Sequence, residues 1–346
     1  MTAAELALVA QTAQDLLGEA RSGTGGDPVA ETAAGWELLD EQGMTRVSLP
    51  GPSGAGESLS FLGALLRATG RAAFSVPLVD TQVGVSLLRA AGLADAGGAC
   101  AVGLDPRLLC PSAPEPSRLA VLHPGLAETV VTAVAGPDTV RVAAWRWIDL
   151  NLDATRTIAG EALATLDLAA LPQPAFAADV SASAAREAAL TDVLGRSLMI
   201  VGAAERALEQ TLGYIGEREQ FGRTLSKFQA VQQTVAMMAS SVTAASVSAE
   251  AALVAVDAAG SAEDAAEPAE IAVLAARIQC ARTAAFVARA AHQLHGAIGF
   301  TEEHSLRFAT TRLTAWRAYG PTPSEVEQEL GRRAFAAAQL WPLITG

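Results

Sequence analysis

A chain of 346 residues can bury more than one core. This one is 51% apolar but only 5% aromatic, so alanine carries much of the hydrophobicity and closely packed helices are expected. The formal net charge of -13 excludes the basic footprint that nucleic acid demands and the polybasic patch that an anionic membrane attracts.

Cys100, Cys110 and Cys280 are odd in number and scattered, which points to reduced thiols rather than a disulfide framework or a zinc site. No basic segment followed by an apolar core stands at the N-terminus. No run of about 18 uncharged apolar residues suggests a membrane span, so the cytoplasm is the expected compartment. Residues 2–20 read as an amphipathic helix ended by the loop from Arg21 to Gly26, and a second helix covers Ala30 to Glu41 and carries Trp36. Val47 to Pro50 and a glycine-rich turn lead into a helix from Glu57 to Thr69, and residues 80–91 form another. After Gly97 and Gly98 the period shortens. Ala99–Leu104, Arg118–Leu122, Thr129–Val134 and Thr139–Trp147 are β-prone runs separated by Pro, Gly and Asp turns. They predict a small antiparallel β domain over 98–172, between an N-terminal helical domain (1–97) and a C-terminal helical bundle (173–346). In the bundle, helices are expected near 182–217, 226–258, 266–295, 303–317 and 324–339. Short breaks at Phe221–Thr224 and Gly260–Ala265 favour antiparallel packing.

Two stretches carry more than helical pattern. Tyr214 to Gln232 contains an R-x-x-F-G unit, formed by Arg218, Phe221 and Gly222, just past the end of a long helix. Gly222 permits a tight turn, and Arg218 offers a planar cation with several donors, suited to a pyrophosphate. His292 to Phe300 sets Gln293 beside Gly296 and Gly299, where bare backbone lets a ligand approach closely. Ordinary alternatives exist at each position. Arg218 can pair with Glu217 or Glu219, and Gly296 can be a helix C-cap; His292 and His295 stand at the i, i+3 spacing of a metal pair, but no third ligand accompanies them and no metal is expected.

Together the two stretches resemble the paired fingerprints of the acyl-CoA dehydrogenase family. The element order resembles it along nearly the whole chain: mainly α, with a small β domain between an N-terminal helical domain and a C-terminal bundle. The resemblance implies FAD as cofactor, with Arg218, Phe221, Gln293 and Gly296 gripping the ADP half of a flavin whose ring sits largely in a neighbouring subunit. It also implies α,β-desaturation of an acyl-CoA thioester, which needs a carboxylate poised over the α carbon. The family's usual glutamate, counted forward from Gln293, falls on Gly320 between Tyr319 and Thr322, and glycine cannot take a proton. The family's other placement, early in the first bundle helix, falls on Asp192. That carboxylate is one methylene shorter and lacks the arginine that should follow it. Asp192 also reads as a residue of the helix's first turns complementing the dipole. The Thr-Glu-x-x-x-Gly-Ser segment with which the family contacts ring and substrate has no counterpart in Ala91 to Asp105.

This pattern resembles the non-catalytic subunit of heteromeric acyl-CoA dehydrogenases that shorten steroid side chains in bacteria, where two unlike chains form an α2β2 heterotetramer. The resemblance implies a second acyl-CoA dehydrogenase-like chain that supplies the base and the ring pocket, while this chain completes its FAD site. Two alternatives stand beside it. One is a self-sufficient homo-oligomeric dehydrogenase using Asp192 or another carboxylate such as Glu325; the other is a scaffold that keeps the fold without flavin.

Overall fold

A computed structural model describes residues 2–24, 27–46, 59–93, 97–259, 266–301 and 304–337. The chain opens with four helices, α1 (Ala3–Gly23), α2 (Pro28–Glu41), α3 (Leu59–Arg71) and α4 (Leu78–Ala90). A β region follows, with β1 (Cys100–Leu104), β2 (Arg118–Leu122), β3 (Thr129–Ala135), β4 (Val140–Arg146), the single turn α5 (Trp147–Leu150), β5 (Thr155–Arg156), β6 (Ala162–Asp167) and β7 (Phe176–Val180). The bundle consists of α6 (Ala182–Glu217), the two-strand hairpin β8 (Glu219–Gln220) and β9 (Arg223–Thr224), α7 (Gln229–Ala259), α8 (Ala266–His295), α9 (Leu306–Trp316) and α10 (Pro323–Ala336). The expected segment from Val47 to Pro50, its glycine-rich turn and the break at Gly260–Ala265 lie outside the described residues.

Helix starts follow local chemistry. Ser181 accepts a hydrogen bond from Ala184 N and opens α6, and Thr322 with Glu325 forms a reciprocal capping box at the start of α10. That cap occupies the Glu325 carboxylate, which accepts from the Thr322 backbone N–H at 2.7 Å and its hydroxyl at 2.9 Å. Glu325 is thereby a helix cap and not a free base, which corrects its place among the candidate carboxylates.

The β region departs from expectation in two ways. It is not wholly antiparallel: in the sheet β1-β3-β4-β7 the β1–β3 pair is parallel, with Cys100 opposite Thr129. The reason is that β2 leaves this sheet to pair with β6 in a second sheet, β2-β6-β5, so the chain returns to β1 by a crossover. The fourth strand, β7, also lies beyond the Pro172–Pro174 linker and beyond the boundary expected at 172.

Strand alternation gives the first sheet two apolar faces. Val130, Ala143 and Trp145 meet Leu119, Val121, Ala164 and Leu166 of the second sheet, while Val131, Ala133, Val140 and Val142 join the helical core. The β region is thus welded to the helices rather than tethered beside them. Cys100, Cys110 and Cys280 are buried free thiols. Alanine richness also makes α7 and the stretch Ala266–Phe300 long and apolar enough, by length and composition alone, to cross a membrane. In the structure α7, α8 and α6 pack on one another as bundle helices.

Candidate functional site

The N-terminal part of α6 reaches a pocket of about 480 Å³ between the β region and α9, a volume within the range of small-molecule sites. Asp192 and Gly320 both line it. A side chain built on Gly320 would begin 3.8 Å from Asp192 Oδ2, so the two candidate base positions, far apart in sequence, share one place. Asp192 does not sit in the first turns of α6, which begins at Ala182, and it caps no dipole. It is buried in an ion pair instead. Arg196 Nε donates to Asp192 Oδ1 at 2.9 Å, and Arg196 Nη2 reaches Oδ1 and Asp80 Oδ1 at 2.8 Å each. The arginine missing beside Asp192 in sequence is therefore supplied one turn later.

Burial raises the Asp192 carboxyl above its ordinary range, with Arg196 opposing that shift. Burial also works against the Arg196 charge, but Asp192 and Asp80 outweigh it and hold the guanidinium charged. Arg196 lies 5.3 Å from the Tyr319 ring centroid. The turn bearing Tyr319 and Gly320 is held from α8. Arg277, 1% exposed, donates to the carbonyls of Arg317 at 2.8 Å and Tyr319 at 2.5 Å, and burial lowers its pKa to about 10.

Buried polar side chains lie where α9 meets the β region. Trp316 Nε1 donates to Glu161 Oε1 at 2.8 Å, and Thr157 Oγ1 donates to Glu161 Oε2 at 3.1 Å, tying α9 to the β region. Arg312 is buried nearby, its pKa lowered to about 10 by burial with Glu161 opposing. His123 meets Ser75 Oγ at 3.2 Å, and burial keeps its imidazole neutral by lowering its pKa. Arg196, Asp80, Arg277 and Glu161 escaped the sequence reading. Only Arg196 left a local signal, at i+4 from Asp192.

The R-x-x-F-G unit lies at the other end of α6. Arg218 caps the helix, its N–H donating to Tyr214 O at 2.9 Å. β8 and β9 form a hairpin whose two loop residues, Phe221 (φ 53) and Gly222 (φ 78), both have positive φ, as a type I′ turn requires. Phe221 is 91% exposed, and strain at an exposed aromatic residue points to a role outside this chain's own packing. Arg218 is exposed, and among the described residues it pairs with neither Glu217 nor Glu219.

The second stretch meets the first through an aromatic stack that sequence reasoning missed. Tyr214 stacks on His295 at 4.4 Å, and His304 packs edge-on against His295 at 4.9 Å. Tyr214 is one turn before Arg218, and His295 directly precedes Gly296, so the stack joins the two helix ends. Gly296 has φ 64 and open space where a Cβ would stand, and Gln293 is exposed. Arg218, Phe221, Gln293 and Gly296 therefore lie on the surface at neighbouring helix ends. Phe300, 72% exposed, adds an apolar side chain there. An exposed, unpaired guanidinium beside bare backbone fits an anionic group such as a pyrophosphate. His292 is engaged by Thr310 Oγ1 at 2.8 Å and by stacking on Phe300. Among the described residues no group of three or more His, Cys, Asp or Glu could hold a metal ion.

Asp192 and Arg218 are separated along α6 by about 40 Å at about 1.5 Å per residue. The pocket and the Arg218 surface are therefore separate places on this chain.

Residues 193–331 match the family model described as acyl-CoA dehydrogenase, C-terminal domain. The chain is 28% identical over 313 residues to acyl-CoA dehydrogenase IpdE2 of Mycobacterium tuberculosis, covering 85% of each protein. Among solved structures it resembles a variant of the Tcur3481-Tcur3483 steroid ACAD, with a TM-score of 0.76 at 22% identity, covering 97% of this chain and 99% of that one. It also resembles the ChsE4-ChsE5 complex from Mycobacterium tuberculosis, with a TM-score of 0.72 at 19% identity, covering 96% of this chain and 98% of the other.

Proposed function

We propose that this chain, whose residues 193–331 match the acyl-CoA dehydrogenase C-terminal domain, is the completing subunit of a two-chain, FAD-dependent acyl-CoA dehydrogenase of the cytoplasm. In this reading it forms an α2β2 heterotetramer with a second acyl-CoA dehydrogenase-like chain. The assembly desaturates the α,β bond of a bulky acyl-CoA thioester, and the partner provides the base. The steroid ACAD and the ChsE4-ChsE5 complex among its structural neighbours favour a steroid side-chain substrate and a heteromeric assembly.

The observation that carries this reading is the separation of the two half-sites. Arg218, Phe221, Gln293 and Gly296 stand exposed at one end of α6, while the pocket at the other end has glycine where the family keeps its glutamate. Arg218 would pair with the pyrophosphate, and Gly296 and Gln293 would bring backbone and amide against the ADP half. Bound FAD supplies the hydride acceptor for the substrate's β carbon.

The test is co-expression with the partner chain, followed by mass and flavin absorbance of the purified complex. One FAD per heterodimer is expected, with Arg218→Ala lowering flavin retention about tenfold or more through loss of charge-assisted bonds while leaving assembly intact. One FAD per copy of this chain purified alone would refute the reading. A second reading, chemistry in this chain with Asp192 as base, is favoured by the raised Asp192 pKa and by the nearness of its Oδ2 to Gly320. It requires turnover by the chain alone and loss of that turnover in Asp192→Asn.

A further inference from the structure

The pocket holding Asp192 takes no part in the flavin-completing role proposed above. Its walls are apolar, with Val102 and Leu104 on β1, Leu119 on β2, Leu163 on β6 and Ala315 on α9. Two polar atoms of its lining have no protein partner among the described residues, the buried Tyr319 hydroxyl and Asp192 Oδ2. Arg196 spends two donors on Asp192 Oδ1, and among the described residues nothing donates to Oδ2. The glycine at position 320 leaves the space before that oxygen open.

A carboxylate oxygen among apolar walls is best satisfied by a neutral O–H donor, because a charge-assisted hydrogen bond is about twice as strong as a neutral one. A cationic donor is disfavoured, since the Arg196 guanidinium already lies against the same carboxylate and Arg118 borders the pocket. An anionic ligand is disfavoured as well, because its charge would meet the Asp192 carboxylate at Oδ2 directly.

We infer that this pocket is a binding site for a neutral, largely apolar alcohol whose hydroxyl donates to Asp192 Oδ2 while its hydrocarbon body fills the space between the β region and α9. The site requires neither flavin nor a partner chain.

The chain has two tyrosines, which gives the test a built-in control. Tyr319 lines the pocket, and Tyr214 stacks on His295 at the far end of α6. The full-length chain, carrying isotope-labelled tyrosine, is titrated by NMR with n-octanol, its methyl ether and octanoate. Octanol is expected to move the Tyr319 resonance and not that of Tyr214. Its affinity should exceed that of the other two by about tenfold, equivalent to about 1.4 kcal/mol. Asp192→Asn should bring the alcohol down to the level of the ether. Ala120→Trp, at an exposed strand position on the pocket's edge, should abolish the shifts while preserving the fold. A Tyr319 signal unmoved by octanol up to its solubility overturns the inference, as does equal affinity for alcohol and ether. Flavin content of the partner complex does not enter these measurements, so this inference and the flavin-completing reading fail separately.

Discussion

Gly202 marks the point where α3 crosses α6 with the backbones in contact. A Cβ at Gly202 would stand 2.6 Å from the Arg71 backbone nitrogen and overlap the Arg67 carbonyl oxygen. Gly70 on α3 is the counterpart, where a Cβ would lie 2.8 Å from the Met199 carbonyl carbon. These obstacles are backbone atoms and cannot rotate aside. Ordinary contact begins near about 3.5 Å, so Gly202→Ala must part the helices by about 1 Å. The parted surface includes Leu62, Leu65 and Leu66 on α3 and Leu198 and Met199 on α6, all buried. Overpacking of this kind costs about 1–3 kcal/mol, and contact with backbone favours the upper end or beyond. Alanine recovers about 1 kcal/mol in helix propensity. The net expectation is a loss of about 2 kcal/mol. Gly213 lies on the same helix, exposed, with nothing within 4 Å of its would-be Cβ, so Gly213→Ala should gain about 1 kcal/mol. Urea unfolding midpoints of the two variants should therefore move in opposite directions. If both rise, propensity rather than the α3–α6 approach governs α6 and the argument is wrong.

His123, His292 and His295 have pKa values lowered by burial from an ordinary 6.5, so each stays neutral in the fold while the unfolded chain takes up a proton. Their contribution is fully present above about pH 6.5 and is lost as the pH falls, by up to about 1.4 kcal/mol per pH unit for the fully buried His123 and by less for His292 and His295, where solvent screens the effect; thermal midpoints should fall on acidification, less steeply in His292→Gln. Phe221 at φ 53 carries left-handed strain of about 1–2 kcal/mol that asparagine tolerates better. Phe221→Asn should raise thermal stability and lower flavin retention in the partner complex, and unchanged stability would remove the strain argument. Trp316→Phe strips the Glu161 carboxylate of a buried donor at 2.8 Å and should cost about 2–3 kcal/mol in chemical denaturation, whereas a loss near zero would show that the bond contributes little.

Helices were legible where period and cap agreed. α6 and α8 begin and end where expected, at 182–217 and 266–295, because uninterrupted alanine-rich helical pattern leaves little else for those residues to do. β6 and β7 were not legible. Ala-Leu-Ala-Thr-Leu-Asp and Phe-Ala-Ala-Asp-Val carry little β propensity, and they become strands because β2 and β4 offer them backbone partners. The Phe221–Gly222 turn was readable from its glycine, but not the positive φ at Phe221, which the hairpin's twist imposes.

The sequence by itself determined the family resemblance, the order of helical and β regions, and the absence of a carboxylate at position 320, since each rests on residue identity and short-range spacing. Tertiary structure alone decided that Asp192 faces Gly320, that Asp80 and Arg196 lock it there, and that Tyr214 on His295 gathers the two fingerprints at one surface. Those contacts join residues from α4, α6, α8 and the turn after α9. No local preference encodes them, because they exist only once the α3–α6 crossing and the bundle packing have set where each helix end lies.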